Sequence, residues 1–316
     1  MLAVGQHVII GSDGAAFATA RAALERGYEA VVLVPRGAPS VRKVPSMIVA
    51  RDFNPRDKVA VKDAIKLAST VYYCCGSATL PLDQEEPAKL ARLLEAVKGV
   101  GARFVYCDAP YAYGVQDRPL SEEMPQRARD PMGSFLAALA QYVLQAHRMG
   151  GIEVVLARHA DLIGPQILRS PFGEQFIAAV LKDRIPPILG GFQTQRSLTY
   201  SADLGRSLVL LAEQTDTWGQ LWHLPSTHVI SPERLVNLIR ESGGLPPLAH
   251  KHVHEIKSRV PMFSSQDGMH PAQRKLARFY EESFVFSSAK FERAFGMHAT
   301  DLKELVGETV QSVMRS

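Results

Sequence analysis

The chain has 316 residues, 46 % of them hydrophobic, which suits one large α/β domain or a core domain with a smaller lobe. The net charge of +4 comes from scattered Lys and Arg residues, which argues against a nucleic-acid partner and favours a small ligand. No apolar run reaches the ~18 residues that a membrane span needs. The three cysteines lie in apolar runs, as buried thiols do, so we expect a cytoplasmic protein with no membrane partner.

The first half of the chain alternates short apolar runs with amphipathic segments. The runs predict strands at 7–10, 29–34, 46–50, 70–75, 102–107 and 152–158. The segments between them predict helices at 15–26, 56–67, 84–98 and 131–148. Strands that are apolar on both faces and alternate with helices are typical of a doubly wound parallel sheet. We therefore predict an α/β fold of this class.

The pattern changes after residue 165, where Pro and Gly become frequent. Helical patterns follow at 202–213 and 232–242, with a strand pattern at 220–225 between them. The remainder favours a smaller, mainly helical C-terminal lobe.

The first predicted strand runs into a turn that carries two glycines. Gly11 and Gly14 allow backbone N–H groups to approach a phosphate, and the helix that follows presents its positive end. A glycine turn that binds nothing is the alternative interpretation. The second strand ends at Arg36, not at an acidic residue, which suits a 2′-phosphate and favours NADP over NAD. The predicted cofactor contacts here are Gly11, Ser12, Asp13, Gly14, Ala15 and Arg36.

Several motifs, in order along nearly the whole chain, resemble those of the extended and atypical short-chain dehydrogenase/reductases, the NAD-dependent epimerase/dehydratase family. They are "IIGSDGAA", "ARDFNPRD", "VYYCCGSA", "FVYCDAPYAYG", "VVLARHADLIGP", "RSLTYSADLGRSLVLLAE", "GQLWHLPSTHVISPERL" and "SSAKFERAFG". The resemblance implies an NAD(P)-binding Rossmann fold that acts on a small molecule. It implies further cofactor contacts at Asp52, Phe53, Cys75 and Gly76. It also implies a homodimer through the helices at 84–98 and 131–148.

The resemblance divides the chain into two units. The dinucleotide-binding domain takes in residues 1–165, with 197–225 returning to it. The smaller substrate-binding lobe takes in residues 166–196 and 226–316.

Two features depart from the family pattern. The family's glycine turn reads GxxGxxG, whereas the turn from Gly11 to Ala16 is one position shorter. In the family, a Tyr and a Lys four residues apart on the helix that "DPMGSFLAALAQ" begins transfer a proton, together with a Ser or Thr after the fifth strand. The aligned positions here are Met132, Leu136 and Ala109, and none of these side chains can exchange a proton.

Other residues offer chemistry, each with a plainer alternative. Tyr111 follows the fifth strand and is a candidate proton donor, or else a Tyr that lines a pocket or packs in a loop. Arg196 matches an Arg that relatives use on a substrate phosphate, with a surface or lobe-bridging Arg as the alternative. His159 follows the sixth strand and could contact a nicotinamide or the substrate, with a core His as the alternative. His250, His252 and His254 lack a nearby further ligand, so we predict no metal site.

Three hypotheses follow from these residues. The first is an NAD(P)-dependent oxidoreductase or epimerase/dehydratase with an altered proton donor. The second is a non-catalytic dinucleotide sensor or regulator. The third is a scaffold reused for non-redox chemistry.

Overall fold

The computed structural model describes residues 5–38, 44–75, 83–168, 170–184, 186, 188, 190–227, 229–248 and 279–315. The strands are β1 Gln6–Ile10, β2 Ala30–Pro35, β3 Val49–Phe53, β4 Ala68–Tyr73, β5 Arg103–Asp108, β6 Val154–Arg158, β7 Asp161–Ile163, β8 Leu198–Tyr200 and β9 Leu221–His223. The helices are α1 Gly14–Glu25, α2 Lys58–Ile65, α3 Glu86–Val100, α4 Pro131–Arg148, α5 Glu174–Leu181, α6 Ser201–Glu213, α7 Pro232–Ser242, α8 Ala289–Phe295 and α9 Leu302–Arg315, with a 3-10 turn at Pro110–Tyr113.

Seven strands form one parallel sheet, in the order β3-β2-β1-β4-β5-β6-β9. This confirms the predicted doubly wound α/β class. The order reverses between β1 and β4, and in such sheets ligands bind at the carboxyl ends of the strands beside this switch point. The carboxyl edge of the sheet is therefore the place to look for a site.

Two apolar cores cover the sheet, one on each face. Helices α1 and α6 supply most of one core, and α2, α3 and α4 contribute to the other. Helices α5, α7 and α9 pack against one another, and β7 pairs with β8 in a separate two-stranded sheet. The division of the chain into two domains remains a prediction. Within the described part of the chain, no helix combines the length and apolar composition of a membrane span.

The predicted segments lie within two residues of the observed elements at both ends, with one exception. The sequence predicts the third strand at 46–50, but β3 runs from Val49 to Phe53. A turn precedes it, in which the Ile48 N–H donates to the Pro45 carbonyl at 2.9 Å. Because β3 is an edge strand with exposed side chains, its sequence lacks the apolar run that marks the inner strands.

Helix α4 has the predicted bounds, and its first turn explains them. The Asp130 side chain accepts a hydrogen bond from the Gly133 N–H at 2.8 Å, and Pro131 occupies the first helical position. The cap and the proline together fix the residue at which α4 begins.

Helices α1 and α6 approach closely because Gly205 has no side chain. A Cβ at Gly205 would lie 2.4 Å from the Ala18 carbonyl oxygen of α1. Gly99, in α3, has open space around its missing Cβ and provides a matched control.

We expect Gly205→Ala to lower the free energy of unfolding by about 1–3 kcal/mol, because the added methyl overpacks the α1–α6 contact. Gly99→Ala should raise it by up to about 1 kcal/mol through helix propensity alone. Urea denaturation of both variants measures the two changes. Equal effects would contradict the close contact.

His7 is buried at the amino end of β1. Its ring stacks on Tyr28 with centroids 4.0 Å apart, and the Tyr72 hydroxyl lies 2.9 Å from its Nδ1. Burial, with a smaller effect from the charge of Arg103, lowers the pKa of His7 from 6.5 to about 4. The imidazole is therefore neutral in the folded protein at pH 6, where the unfolded chain binds the proton.

His7 should make the protein less stable as the pH falls from 6.5 towards about 4. Above pH 6.5 His7 is neutral in both the folded and the unfolded chain, and its titration costs no stability. Between pH 6.5 and about 4 the free energy of unfolding falls by about 3 kcal/mol. We expect the His7→Gln variant to lose less stability than the wild type over this interval, measured by urea unfolding at several pH values. Parallel pH profiles would contradict the assignment.

Candidate functional site

The glycine turn lies at the carboxyl end of β1. Gly11 is required for packing, since a Cβ there would lie 2.7 Å from the Cβ of Ala16. Asp13 caps α1, and its carboxylate accepts a hydrogen bond from the Ala15 N–H at 3.3 Å. The whole turn from Gly11 to Ala15 is buried.

A loop that follows β7 covers this turn. The Gln166 carbonyl accepts a hydrogen bond from the Gly14 N–H at 2.8 Å. A Cβ at Gly14 would lie 2.1 Å from the Pro165 carbonyl oxygen, so the two backbones touch. Ile167 is fully buried, and its carbonyl accepts the Glu174 N–H at 2.8 Å at the start of α5. The loop is thus anchored on both sides of its contact with Gly14.

These residues do not fit a dinucleotide pyrophosphate as they stand. A pyrophosphate at a helix N-terminus binds to backbone N–H groups and to the positive end of the helix dipole. Here the Gly14 and Ala15 N–H groups already have acceptors inside the chain. The carboxyl group of Asp13, a residue only 5 % exposed, occupies the same helix end.

The other predicted cofactor residues lie along the same edge of the sheet. Arg36 follows β2 and is exposed, with its backbone N–H donating to the Phe53 carbonyl at 2.8 Å. Asp52 is exposed and Phe53 is buried at the end of β3. Cys75 follows β4 and is partly buried. Gly76 lies outside the described residues, as do the three histidines of "HKHVHE".

The three positions aligned with the family's proton-transfer residues are buried in one apolar core. Ala109 follows β5, and Met132 and Leu136 lie on α4. The first turn of α4 touches the 3-10 turn, because a Cβ at Gly133 would lie 2.6 Å from the Tyr111 carbonyl oxygen. The three aligned positions therefore supply apolar side chains that cannot donate a proton.

Tyr111 belongs to a buried chain of hydrogen bonds that we call the Asp161 cluster: Tyr111, Asp161, Arg196 and Tyr280. The Tyr280 hydroxyl donates to Asp161 Oδ1 at 2.6 Å, and it lies 2.8 Å from the Tyr111 hydroxyl. Since Tyr280 has one hydroxyl hydrogen, Tyr111 must donate to Tyr280. Burial, reinforced by the charge of Asp161, raises the pKa of both phenols.

Arg196 completes the cluster as the counter-ion of Asp161. Its Nε donates to Asp161 Oδ2 at 3.0 Å, and a second guanidinium nitrogen lies 2.9 Å from the same oxygen. The guanidinium also lies over the Tyr280 ring, 4.1 Å from its centroid. Arg196 is only 1 % exposed. Tyr111 and Arg196, two of the predicted substrate residues, are thus brought together but bound to the protein's own groups.

A second buried network joins the last residues of three strands. Asp108, Arg158 and His223 are in register across β5, β6 and β9. Arg158 Nε donates to Asp108 at 2.9 Å, and the guanidinium lies 4.7 Å from the centroid of the Tyr113 ring. The Tyr113 hydroxyl lies 2.7 Å from His223 Nε2.

The charge states in this network follow from its burial. Burial and the charge of Arg158 lower the pKa of His223 well below 6.5, so the imidazole is neutral. Its Nδ1 lies 2.9 Å from the Ser287 carbonyl and donates to it, which leaves Nε2 to accept from Tyr113. Burial raises the pKa of Tyr113 to about 12.

His159, the third predicted substrate residue, contacts the second network through its backbone, where its N–H donates to the Asp108 carbonyl at 3.0 Å. Its Nδ1 lies 2.5 Å from the Ala160 carbonyl. Its Nε2 is buried and has no hydrogen-bond partner among the described residues. Burial lowers the pKa of His159, which keeps the imidazole neutral.

The residues that pair with Tyr111, Arg196 and Tyr113 were not identified from the sequence. Asp161 and Arg158 lie in apolar runs, and a charged residue in such a run indicates a buried pair. That signal was available but does not identify the partner. Tyr280 is 169 residues from Tyr111 and follows no local pattern.

The chain belongs to the NAD dependent epimerase/dehydratase family, whose model matches residues 8–222. None of the curated proteins compared matches it. Its fold is similar to that of an epimerase from Methanothermobacter thermautotrophicus, with a TM-score of 0.78 and 16 % identity over 98 % of this chain and 93 % of that one.

Two UDP-glucose 4-epimerases share the fold at 18 % identity, each over 98 % of this chain and 99 % of the other. The enzyme from Thermus thermophilus, solved with NAD, gives a TM-score of 0.72. The enzyme from Thermotoga maritima, solved with UDP-glucose, gives 0.74.

We expect Asp161→Asn to lower the free energy of unfolding by about 3–5 kcal/mol, because it leaves the Arg196 charge buried without a counter-ion. Adding Arg196→Met should recover part of the loss. Glu153→Gln is the control, since Glu153 forms an exposed pair with Arg103 at 3.1 Å and should cost less than about 1 kcal/mol. Urea denaturation measures all three. An Asp161→Asn variant as stable as the control would contradict the pairing.

Proposed function

We propose that this protein is a non-catalytic member of the epimerase/dehydratase family, a regulator without the family's oxidoreductase activity. The observation that carries the proposal is the state of the proton-transfer positions. Ala109, Met132 and Leu136 are apolar and buried. Tyr111, on the 3-10 turn, donates a hydrogen bond to Tyr280, whose hydroxyl donates to Asp161.

A second candidate is an NADP-dependent enzyme that acts on a small molecule with Tyr111 as proton donor. The exposed guanidinium of Arg36 at the end of β2 favours it, because that position suits a 2′-phosphate. The relative solved with NAD also supports a nicotinamide dinucleotide. Substrate contacts from His159 and Arg196 belong to this candidate. It requires Tyr111 to leave Tyr280, and a dinucleotide to displace the loop over Gly14.

Activity measurements separate the two candidates. The purified protein is incubated with NADPH or NADH and a panel of carbonyl compounds, and with NAD and nucleotide sugars, and products are followed by absorbance and mass spectrometry. We expect no turnover above the uncatalysed rate. Turnover that is lost in Tyr111→Phe but kept in Tyr142→Phe, a change at an exposed Tyr of α4, would contradict the proposal and establish the second candidate. Arg36→Ala should then weaken NADPH more than NADH.

We further propose that the protein is a homodimer through α3 and α4. These helices border an apolar groove of about 480 Å³, lined by Pro87, Ala88, Phe135, Ala138, Leu139 and Tyr142. Tyr142 exposes 42 % of its surface in the single chain. The family resemblance names the same two helices as the contact between subunits.

Placing a charge in the groove should separate the subunits. We expect Ala138→Glu to be monomeric and the wild type dimeric in sedimentation velocity, because an unpaired carboxylate in an apolar interface is costly. Gln311→Glu, at an exposed position of α9, is the control and should remain dimeric. A monomeric wild type would contradict the proposal.

We also propose a division into domains and a cellular compartment. We keep the division into residues 1–165 with 197–225, and 166–196 with 226–316, as the proposed domains. All three cysteines are free thiols, which suits the reducing cytoplasm.

A further inference from the structure

We infer that the N-terminus of α1 is closed to dinucleotides by the Asp13 carboxylate and by the backbone of Pro165 and Gln166. On this inference the chain binds no pyrophosphate at the position that the glycine turn suggests. It concerns binding, whereas the proposed function concerns turnover, so each can fail without the other.

The backbone N–H groups that would bind a phosphate at this helix end already have acceptors within the chain. The Gly14 N–H is bonded to the Gln166 carbonyl at 2.8 Å, and the Ala15 N–H to the Asp13 carboxylate at 3.3 Å. A pyrophosphate bound here would have to replace both acceptors. It would also need space that the Pro165 carbonyl fills, since that oxygen lies 2.1 Å from the Cβ position of Gly14.

The negative charge of Asp13 also disfavours a phosphate at this helix end. The Asp13 carboxylate occupies the positive end of the α1 dipole, which is the feature that attracts a phosphate to a helix N-terminus. Because the residue is buried, solvent screens its charge less than it would at the surface. A pyrophosphate next to Asp13 would meet a like charge at short range.

The covering loop is also held in place. Ile167 is fully buried in the core beside α1 and α6. Its carbonyl accepts the Glu174 N–H, and a Cβ at Gly173 would lie 2.4 Å from that same carbonyl oxygen. Opening the loop would therefore expose an apolar side chain and break the Gly14–Gln166 and Glu174–Ile167 hydrogen bonds.

The test removes the two obstacles one at a time. Asp13→Asn keeps the shape and the capping oxygen but removes the charge. Ile167→Ala weakens the anchor of the loop. Asp57→Asn is the matched control, because Asp57 caps α2 in the same way, through the Val59 and Ala60 N–H groups, on the exposed surface. Binding of NADPH, NADP, NADH and NAD is measured by isothermal titration calorimetry, and circular dichroism confirms that each variant is folded.

We expect no saturable binding by the wild type or by Asp57→Asn up to about 1 mM ligand, which corresponds to a Kd weaker than millimolar. Asp13→Asn, alone or combined with Ile167→Ala, should gain at least about tenfold in affinity. Micromolar binding by the wild type would overturn the inference and leave the proposed loss of turnover standing. Folded variants that gain nothing would overturn it as well, because the named groups would not be the obstacle.

Discussion

A buried charge must have a counter-ion, and at the carboxyl edge of this sheet that requirement fixes most of the site. The carboxylate of Asp161 is bonded to the guanidinium of Arg196 and to the Tyr280 hydroxyl. The Tyr280 hydroxyl in turn accepts a hydrogen bond from the Tyr111 hydroxyl. One charge on β7 thereby connects the segment before β8, the 3-10 turn after β5 and the chain before α8.

The same principle governs the neighbouring strands. Arg158 is paired with Asp108, and both are fully buried. Arg158 and Arg196, both buried, are thus neutralised by the chain's own carboxylates, whereas Arg36 at the end of β2 is exposed. An anionic substrate or cofactor would have to compete with an acidic residue for either buried guanidinium. The proton-transfer positions also lack reactive groups, because Ala109, Met132 and Leu136 have apolar side chains that pack in the core.

The fold was predictable from local patterns, and the reason is physical. Inner strands of a parallel sheet are covered on both faces, so their apolar runs stand out, and most element ends lie within two residues of prediction. The edge strand β3 is exposed, and its pattern places it three residues too early. Caps such as Asp130 are local and were likewise readable.

The site was only partly predictable. The sequence placed Gly14, Arg36 and Tyr111 at the correct strand ends, because parallel strands bring their carboxyl ends to one edge. It could not show that Asp161 pairs with Arg196, since the two residues are 35 positions apart and only the tertiary fold brings them together. Asp13 was predicted only as a cofactor contact, and neither its role as the N-cap of α1 nor the loop that meets Gly14 was predicted.

The central claim is that polar groups at the carboxyl edge of the sheet already have hydrogen-bond partners within the chain. Amide hydrogen exchange at Gly14 tests this claim most directly. The Gly14 N–H is bonded to the Gln166 carbonyl at 2.8 Å. The account predicts that this amide is protected from exchange without ligand, and that NADPH leaves its protection unchanged. Rapid exchange in the free protein, followed by protection when NADPH is added, would contradict it.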